Sequence, residues 1–155
     1  MELVAQFKLT IVLFFTIFSL LAYNQAQNVT YCDGSRHYAV NVQKFEVSPD
    51  PMLVGRPATF TISASTSQPI SDGRVVIDVS FLGLHVHTET RSLCEEASCP
   101  IAAGNFKLSH SQTLPVFTPP GSYALQMILN DQNNLELTCI GINFTIGTAA
   151  LASDI

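Results

Sequence analysis

The sequence contains no tryptophan, and only 12 % of its residues carry charge. The 7 Lys plus Arg are scattered and outnumbered by 12 Asp plus Glu, for a formal net charge of -5. No basic footprint for a phosphate backbone exists, so nucleic acid is excluded as a partner class. No stretch sustains three-four apolar periodicity, which argues against a helical bundle. Disorder is excluded from the other side, because 47 % of the residues are hydrophobic and a weakly charged, apolar chain collapses. Cys-x-x-Cys is absent too, which removes the usual half-site of a zinc ribbon. The 155 residues fit one ordinary domain.

One long apolar run is present. Lys8 precedes residues 9–22, about 14 mostly apolar positions, which is the length of a signal peptide rather than the roughly 20 of a spanning helix. Residues 1–26 are therefore expected to be a cleaved leader, cut between 22 and 27, with Ala22 and Ala26 as candidate residues before the cut. The alternative is an uncleaved anchor. Beyond the leader stand four cysteines, Cys32, Cys94, Cys99 and Cys139. An even number in a small exported domain reads as two disulfides with three possible connectivities. Cys94 and Cys99 are close enough to clip one loop, and a Cys32–Cys139 pair would then close a loop of about 100 residues. Two sequons, Asn28-Val29-Thr30 and Asn143-Phe144-Thr145, make Asn28 and Asn143 candidate glycosylation sites. A glycan on Asn143 would require it to face solvent, turning Ile142, Phe144 and Ile146 to the opposite face of a strand.

From Val40 onward the pattern has period two, punctuated by Pro, Gly, Asn and Asp, which is an all-β signature. Phe45 and Val47 alternate with Lys44 and Glu46, and Ala58, Phe60, Ile62 and Ala64 with Thr59, Thr61 and Ser63. Val75, Ile77, Val79 and Phe81 share one face. After Gly83, Leu84 and Val86 alternate with His85 and His87. Phe106 and Leu108 follow, then the Pro119-Pro120-Gly121 turn, the face Tyr123, Leu125, Met127 and Leu129, a hairpin at Asp131 to Asn134, and a last strand from Leu135 to Ile146. Seven or eight short strands at this spacing predict an immunoglobulin-like sandwich of two sheets over residues 27–147, with a flexible tail at 148–155. The inward set mixes Phe, Tyr and Met with small Ala and Val. Such a set fills a core or lines a cavity.

Particular residues narrow the reading. Cys32-Asp33-Gly34, Val47-Ser48-Pro49, Gly55, the Gly83 break, Cys94 to Cys99 with Pro100-Ile101, Leu114-Pro115-Val116, and Asp131 to Cys139 together resemble the ML lipid-recognition domain family over about Cys32 to Ile146. The resemblance implies two sheets that splay around an apolar pocket holding one lipid. It implies the pairs Cys32–Cys139 and Cys94–Cys99. A third bridge found in sterol-carrying members has no counterpart here, because Pro49 to Val54 holds no cysteine. Matched to the family's inward positions, the pocket wall would comprise Val47, Phe60, Ile62, Ile77, Val79, Phe81, Val86, Val116, Tyr123, Leu125, Met127, Ile142 and Phe144. Each could instead be ordinary core. The Tyr123 hydroxyl would meet a lipid head group at the mouth or reach solvent.

Catalytic machinery is not evident. Gly121-Ser122 lacks the glycine frame and following helix of a nucleophile elbow. His85-x-His87 sets two imidazoles on one side of a strand, but no third ligand follows, so exposed histidines are expected and no metal. Glu95-Glu96 reads as a solvated charge pair, and His37 and His110 have no partner in sequence. The expectation is a non-enzymatic binder of one sterol or phospholipid, needing no cofactor, in the extracellular space or a vacuolar or lysosome-like lumen. It would touch membranes transiently through the loops around Gly83 to Val86 and Phe117 to Gly121. The competing reading is an adaptor that displays lipid, or its own surface, to a receptor or membrane protein in signalling. A lipid hydrolase is the third.

Overall fold

The structure, a computed structural model, describes residues 28–148. The expected leader and tail lie outside the described residues, apart from their boundary positions. Nine strands follow in chain order: β1 Thr30–Tyr31, β2 Val40–Ser48, β3 Met52–Leu53, β4 Pro57–Thr66, β5 Gly73–Phe81, β6 Leu84–Ser92, β7 Gly104–Thr113, β8 Gly121–Asp131 and β9 Glu136–Gly147. One short helix, α1 Leu93–Glu96, separates β6 from β7. The Ser92 hydroxyl caps it by accepting from the Cys94 amide at 3.2 Å, satisfying one of the amides that every helix start leaves free.

The strands form two sheets of unequal width. The wide sheet runs β1-β9-β8-β5-β6, with β3 parallel to β9 off that path, and the narrow sheet is β2-β4-β7. Apart from β3, every pairing is antiparallel. Period-two patterning then dictates the layers, because alternate residues turn to one face. Ala58, Ile62 and Ala64 of β4 are buried, as are Tyr123, Leu125, Met127 and Leu129 of β8 and Ile140, Ile142, Phe144 and Ile146 of β9. Asn143 is exposed on the opposite face, as a glycan there would require. Asn28 is exposed as well.

Two hairpins show local chemistry setting the chain's course. At Asp131 to Asn134 the Asp131 carboxylate accepts from the amides of Asn133 and Leu135, both at 2.8 Å, which holds the turn that Asn134 completes at φ 65. Between β5 and β6 the turn residues Leu82 and Gly83 both have positive φ, 50 and 78, the pattern of a tight two-residue hairpin. Glycine suits that position. Leucine does not, since its Cβ crowds the following carbonyl, yet Leu82 stands 81 % exposed at the tip.

Strand β6 departs from simple alternation. Val79 pairs with His87, and Ser80 with His85, so Val86 is the extra residue of a β-bulge. Residues directly opposite in an antiparallel pair share a face. His87, Glu89 and Arg91, opposite Val79, Ile77 and Val75, therefore lie on the intersheet side, and His85 lies outside. Leu84, opposite Phe81, keeps the expected face, and the expected face of Val86 is corrected: it sits on the bulge and is 51 % exposed. The two histidines do not share one side of the strand.

Both disulfides pair as the family resemblance implies. Cys32–Cys139 joins the chain beside β1 to β9 with Cα atoms 5.4 Å apart, and Cys94–Cys99 clips α1 to the loop after it at 5.2 Å. The loops they close differ in length, 107 residues against 5, and closure entropy scales with the logarithm of length. Replacing Cys32 and Cys139 together with Ala should cost about 5 kcal/mol, and replacing Cys94 and Cys99 about 2 kcal/mol. Urea unfolding of the two variants checks that order. Equal losses would contradict it.

Candidate functional site

The family resemblance nominated thirteen wall residues, and the two sheets bring eleven of them together. Ile62, Tyr123, Leu125, Met127, Ile142 and Phe144 are buried in one continuous apolar cluster. Val47, Phe60, Ile77, Val79 and Phe81 pack against that cluster but remain partly accessible. This difference follows from the widths of the sheets. The narrow sheet has three strands against six in the wide one, and beyond buried Val75 the inward side chains of β5 keep partial access. Val40, Leu129 and Ile140 are sealed, whereas Ile77, Val79 and Phe81 of β5 keep partial access.

Val86 and Val116 do not join this wall. Val86 sits on the bulge, and Val116 is 78 % exposed. The reason for Val116 is local: Leu114 is tied down where its carbonyl accepts from the Gly55 amide at 2.9 Å, and a turn closed from Thr118 to Pro115 carries the next residues outward. Phe117, on the same turn, is 83 % exposed.

An aromatic ladder crosses from one sheet to the other. Phe45 and Phe60 of the narrow sheet meet at 6.2 Å, and Phe60 stands edge-on to Phe144 at 6.2 Å. Phe144 stacks on Tyr123 at 5.5 Å, and Tyr123 on Phe81 at 4.7 Å. Edge-on and offset-stacked pairs each add roughly 0.5–1.5 kcal/mol beyond the area they bury. Gly121 allows the last contact, since a Cβ there would stand 3.1 Å from the Phe81 ring.

The Tyr123 hydroxyl, expected to meet a head group or solvent, donates to the Pro119 carbonyl at 2.8 Å, pinning the β7–β8 loop over the ladder. Burial raises its pKa above the ordinary 10.0, because the phenolate is poorly solvated there.

Around that end lies an apolar rim: Leu82 and Leu84 from the β5–β6 hairpin, Val86 from the bulge, and Val116 and Phe117 from the β7–β8 loop, all more than half exposed. Leu84 pairs with Phe81, and Phe81 lies against Gly121, so both loops belong to one end of the sandwich.

A polar seam occupies the margin between β6 and β7, and single-residue patterning missed it. His110 Nδ1 lies 3.2 Å from Glu96 Oε1, and Arg91 Nη1 lies 3.8 Å from the same oxygen. Arg91 Nη2 also meets Glu89 Oε1 at 2.6 Å. The Glu96 side chain is only 8 % exposed, so the expectation of a solvated pair with Glu95 is corrected. His110 has a partner after all. The one legible sign was the period-two run His87, Glu89, Arg91 on an inward register.

The outer face of the wide sheet carries a separate open trough of about 390 Å³, lined by Thr30, Cys32, Asp78, Ser80, Gln126 and Asn143 among others. Beside it, His85 Nε2 meets Thr88 Oγ1 at 2.7 Å, and Thr88 donates to Asp78 at 2.8 Å. Among the described residues no group of three or more His, Cys, Asp or Glu is placed to hold a metal ion.

Two unequal antiparallel sheets around an aromatic ladder define an immunoglobulin-like sandwich open along one margin. The profile of the ML domain family matches residues 26–146, and the chain belongs to that family. It is 33 % identical over 135 residues to a Dictyostelium discoideum protein provisionally named a phosphatidylglycerol/phosphatidylinositol transfer protein, covering 84 % of this chain and 93 % of that one. It is 29 % identical to the phosphatidylglycerol/phosphatidylinositol transfer protein of Mycosarcoma maydis, covering 74 % of this chain and 63 % of that one. An MD-2-related lipid-recognition protein of Arabidopsis thaliana is 38 % identical over 90 residues, 57 % of this chain and 54 % of that one. The fold is shared with the crystal structure of a Niemann-Pick type C2 protein from Japanese carpenter ant, at TM-score 0.61 and 12 % identity, covering 76 % of this chain and 99 % of that one. Chicken MD-1 complexed with lipid IVa superposes at TM-score 0.51 and 15 % identity, covering 76 % and 87 %.

A raised tyrosine pKa has a signed consequence. The neutral hydroxyl's contribution to stability is present below the ordinary value of 10.0 and is lost as pH rises through the raised one. Ultraviolet titration should therefore show one tyrosine ionising last, and Tyr123→Phe should remove that late phase while costing about 1 kcal/mol from the lost hydrogen bond. A late phase that survives Tyr123→Phe would assign it elsewhere.

Proposed function

We propose that the protein takes one lipid, a sterol or a phospholipid, into the margin between its sheets and carries it between membranes. The observation that carries the reading is the graded burial of a single inward face. Ile77, Val79, Phe81, Phe60 and Val47 point between the sheets, pack on the core and are still partly accessible. A packed interior would seal such side chains, since cores approach crystal density. An alkyl chain laid on them completes the burial, at about 0.8 kcal/mol per methylene before ordering costs.

The rim supports the second half of the reading. Leu82, Leu84, Val116 and Phe117 stand 72–83 % exposed at one end, and Leu82 does so in a backbone conformation that leucine disfavours. Strain retained at an exposed apolar tip fits a surface that contacts something apolar. A bilayer meeting this rim would let a lipid slide to the wall without crossing water. The names of the Dictyostelium and Mycosarcoma relatives favour phospholipid transfer, and two disulfides favour an extracellular or lumenal site of action. The reading assigns no catalytic residue and requires no cofactor.

Vesicle-to-vesicle transfer of a fluorescent phospholipid and a fluorescent sterol tests this directly. The wild-type protein should accelerate transfer of at least one of them without any protein partner. Val79→Asp should abolish uptake, because an unpaired carboxylate in an apolar wall loses its hydration. Leu82→Asp, at a turn position that Asp tolerates, should leave uptake intact and slow transfer by about tenfold, the loss of roughly one apolar anchor. Tight uptake with negligible transfer by the wild type would favour an adaptor, and failure to take up any lipid would overturn the reading.

A further inference from the structure

The polar seam raises a question that an apolar wall does not answer. His110 lies on the inward register of β7, two residues from buried Leu108 and directly opposite Phe60 of the proposed wall. Its Nδ1 faces the Glu96 carboxylate at 3.2 Å. An ionised carboxylate only accepts hydrogen bonds, so Nδ1 carries the ring proton, and in the neutral imidazole Nε2 presents a lone pair. That Nε2 is sealed from solvent and has no hydrogen-bond partner among the described residues. Arg91 meets the same Glu96 oxygen through Nη1 at 3.8 Å, and its Nε, a donor, is likewise sealed and unpartnered. Glu96 thus gathers one unmatched acceptor and one unmatched donor at the margin between β6 and β7.

We propose that His110, positioned by Glu96, is the polar anchor of the hollow, and that the group it recognises is a hydroxyl of the bound lipid. This rests on the lipid-carrying reading above. The chemistry selects the group. A hydroxyl donates, as the Nε2 lone pair requires, and it can still accept. An ester carbonyl, an ether or an ionised phosphate oxygen accepts but does not donate, and leaves the lone pair unmatched. Discrimination of this kind is strong because the penalty falls on buried groups of the protein when the ligand lacks the hydroxyl. The hydroxyl could belong to a sterol ring or to the polyol head group of a phospholipid such as phosphatidylglycerol.

Two ligand pairs, each differing only in hydroxyl content, separate these sources: cholesterol against 5-cholestene, and phosphatidylglycerol against phosphatidylpropanol of the same acyl chains. The wild-type protein should hold the hydroxylated member of one pair about tenfold more tightly, the worth of one buried hydrogen bond. The pair that shows the preference identifies the source. His110→Leu should equalise that pair while still taking up the hydroxyl-free member, and His110→Gln should keep part of the preference. In the wild type the ¹⁵N resonance of His110 Nε2 should move on loading with the hydroxylated member and stay on loading with the other. Equal affinities within both pairs, or a preference that survives His110→Leu, would overturn the proposal and leave His110 a structural ion-pair partner. Absence of uptake of all four probes by the wild type would instead bring down the carrying reading itself, and this inference with it.

Discussion

A sheet of three strands laid on a sheet of six leaves part of the wider face without a lid, and most of what distinguishes this protein follows from that mismatch. Where β2 and β4 lie over β9 and β8, side chains such as Val40, Leu129 and Ile140 are sealed. Where the narrow sheet ends at β7, Ile77, Val79 and Phe81 of β5 keep partial access to water. The chain does not hide this margin with a further strand. It spans it with a four-residue helix, a short disulfide clip and a set of charges.

Those charges fit the edge they occupy. An edge strand with open backbone groups invites pairing with another chain, and inward-pointing charged residues are one protection against it. Glu89 and Arg91 on the inward register of β6 serve that purpose. The Arg91–Glu96–His110 cluster does more, because it links the two sheets across their open side. Its cost is desolvation, borne by Glu96 in particular, and an ion pair of this depth adds little net stability unless its remaining lone pairs and protons find partners. The opposite end of the margin is apolar, running from the aromatic ladder to the exposed rim. The margin is therefore polar at one end and apolar at the other, which would suit the amphipathic guest of the proposed function.

Much of this was legible in the sequence because period-two patterning is a direct image of a two-faced sheet. The runs Ala58 to Ala64, Val75 to Phe81 and Tyr123 to Leu129 gave strands and their inward faces without help. Eleven of the thirteen positions matched to the family's wall share one apolar cluster, since inward apolar residues meet whatever lies opposite. The failures have local causes. The bulge at Val86 inverts the face of everything after it, and a one-residue insertion leaves no mark in an alternation that short. Val116 follows an anchored Leu114 into a turn, which depends on a hydrogen bond from Gly55, a residue far away in sequence. Tyr123 was rightly singled out, but its hydroxyl partner is a backbone carbonyl that only the loop's path supplies. Glu96 and His110 are invisible as a pair because α1 and β7 meet only after the sheets have stacked.

The central claim is that the guest lies between the sheets at the uncovered margin, and not in the open trough on the outer face of the wide sheet. A phospholipid with a nitroxide on one acyl chain distinguishes the two places, since the label broadens nearby resonances in an NMR spectrum of the loaded protein. Broadening centred on Ile77, Val79 and Phe81 is the result expected of an intersheet guest. Broadening centred on Thr30, Asp78 and Gln126, with the β5 inward residues untouched, would contradict it.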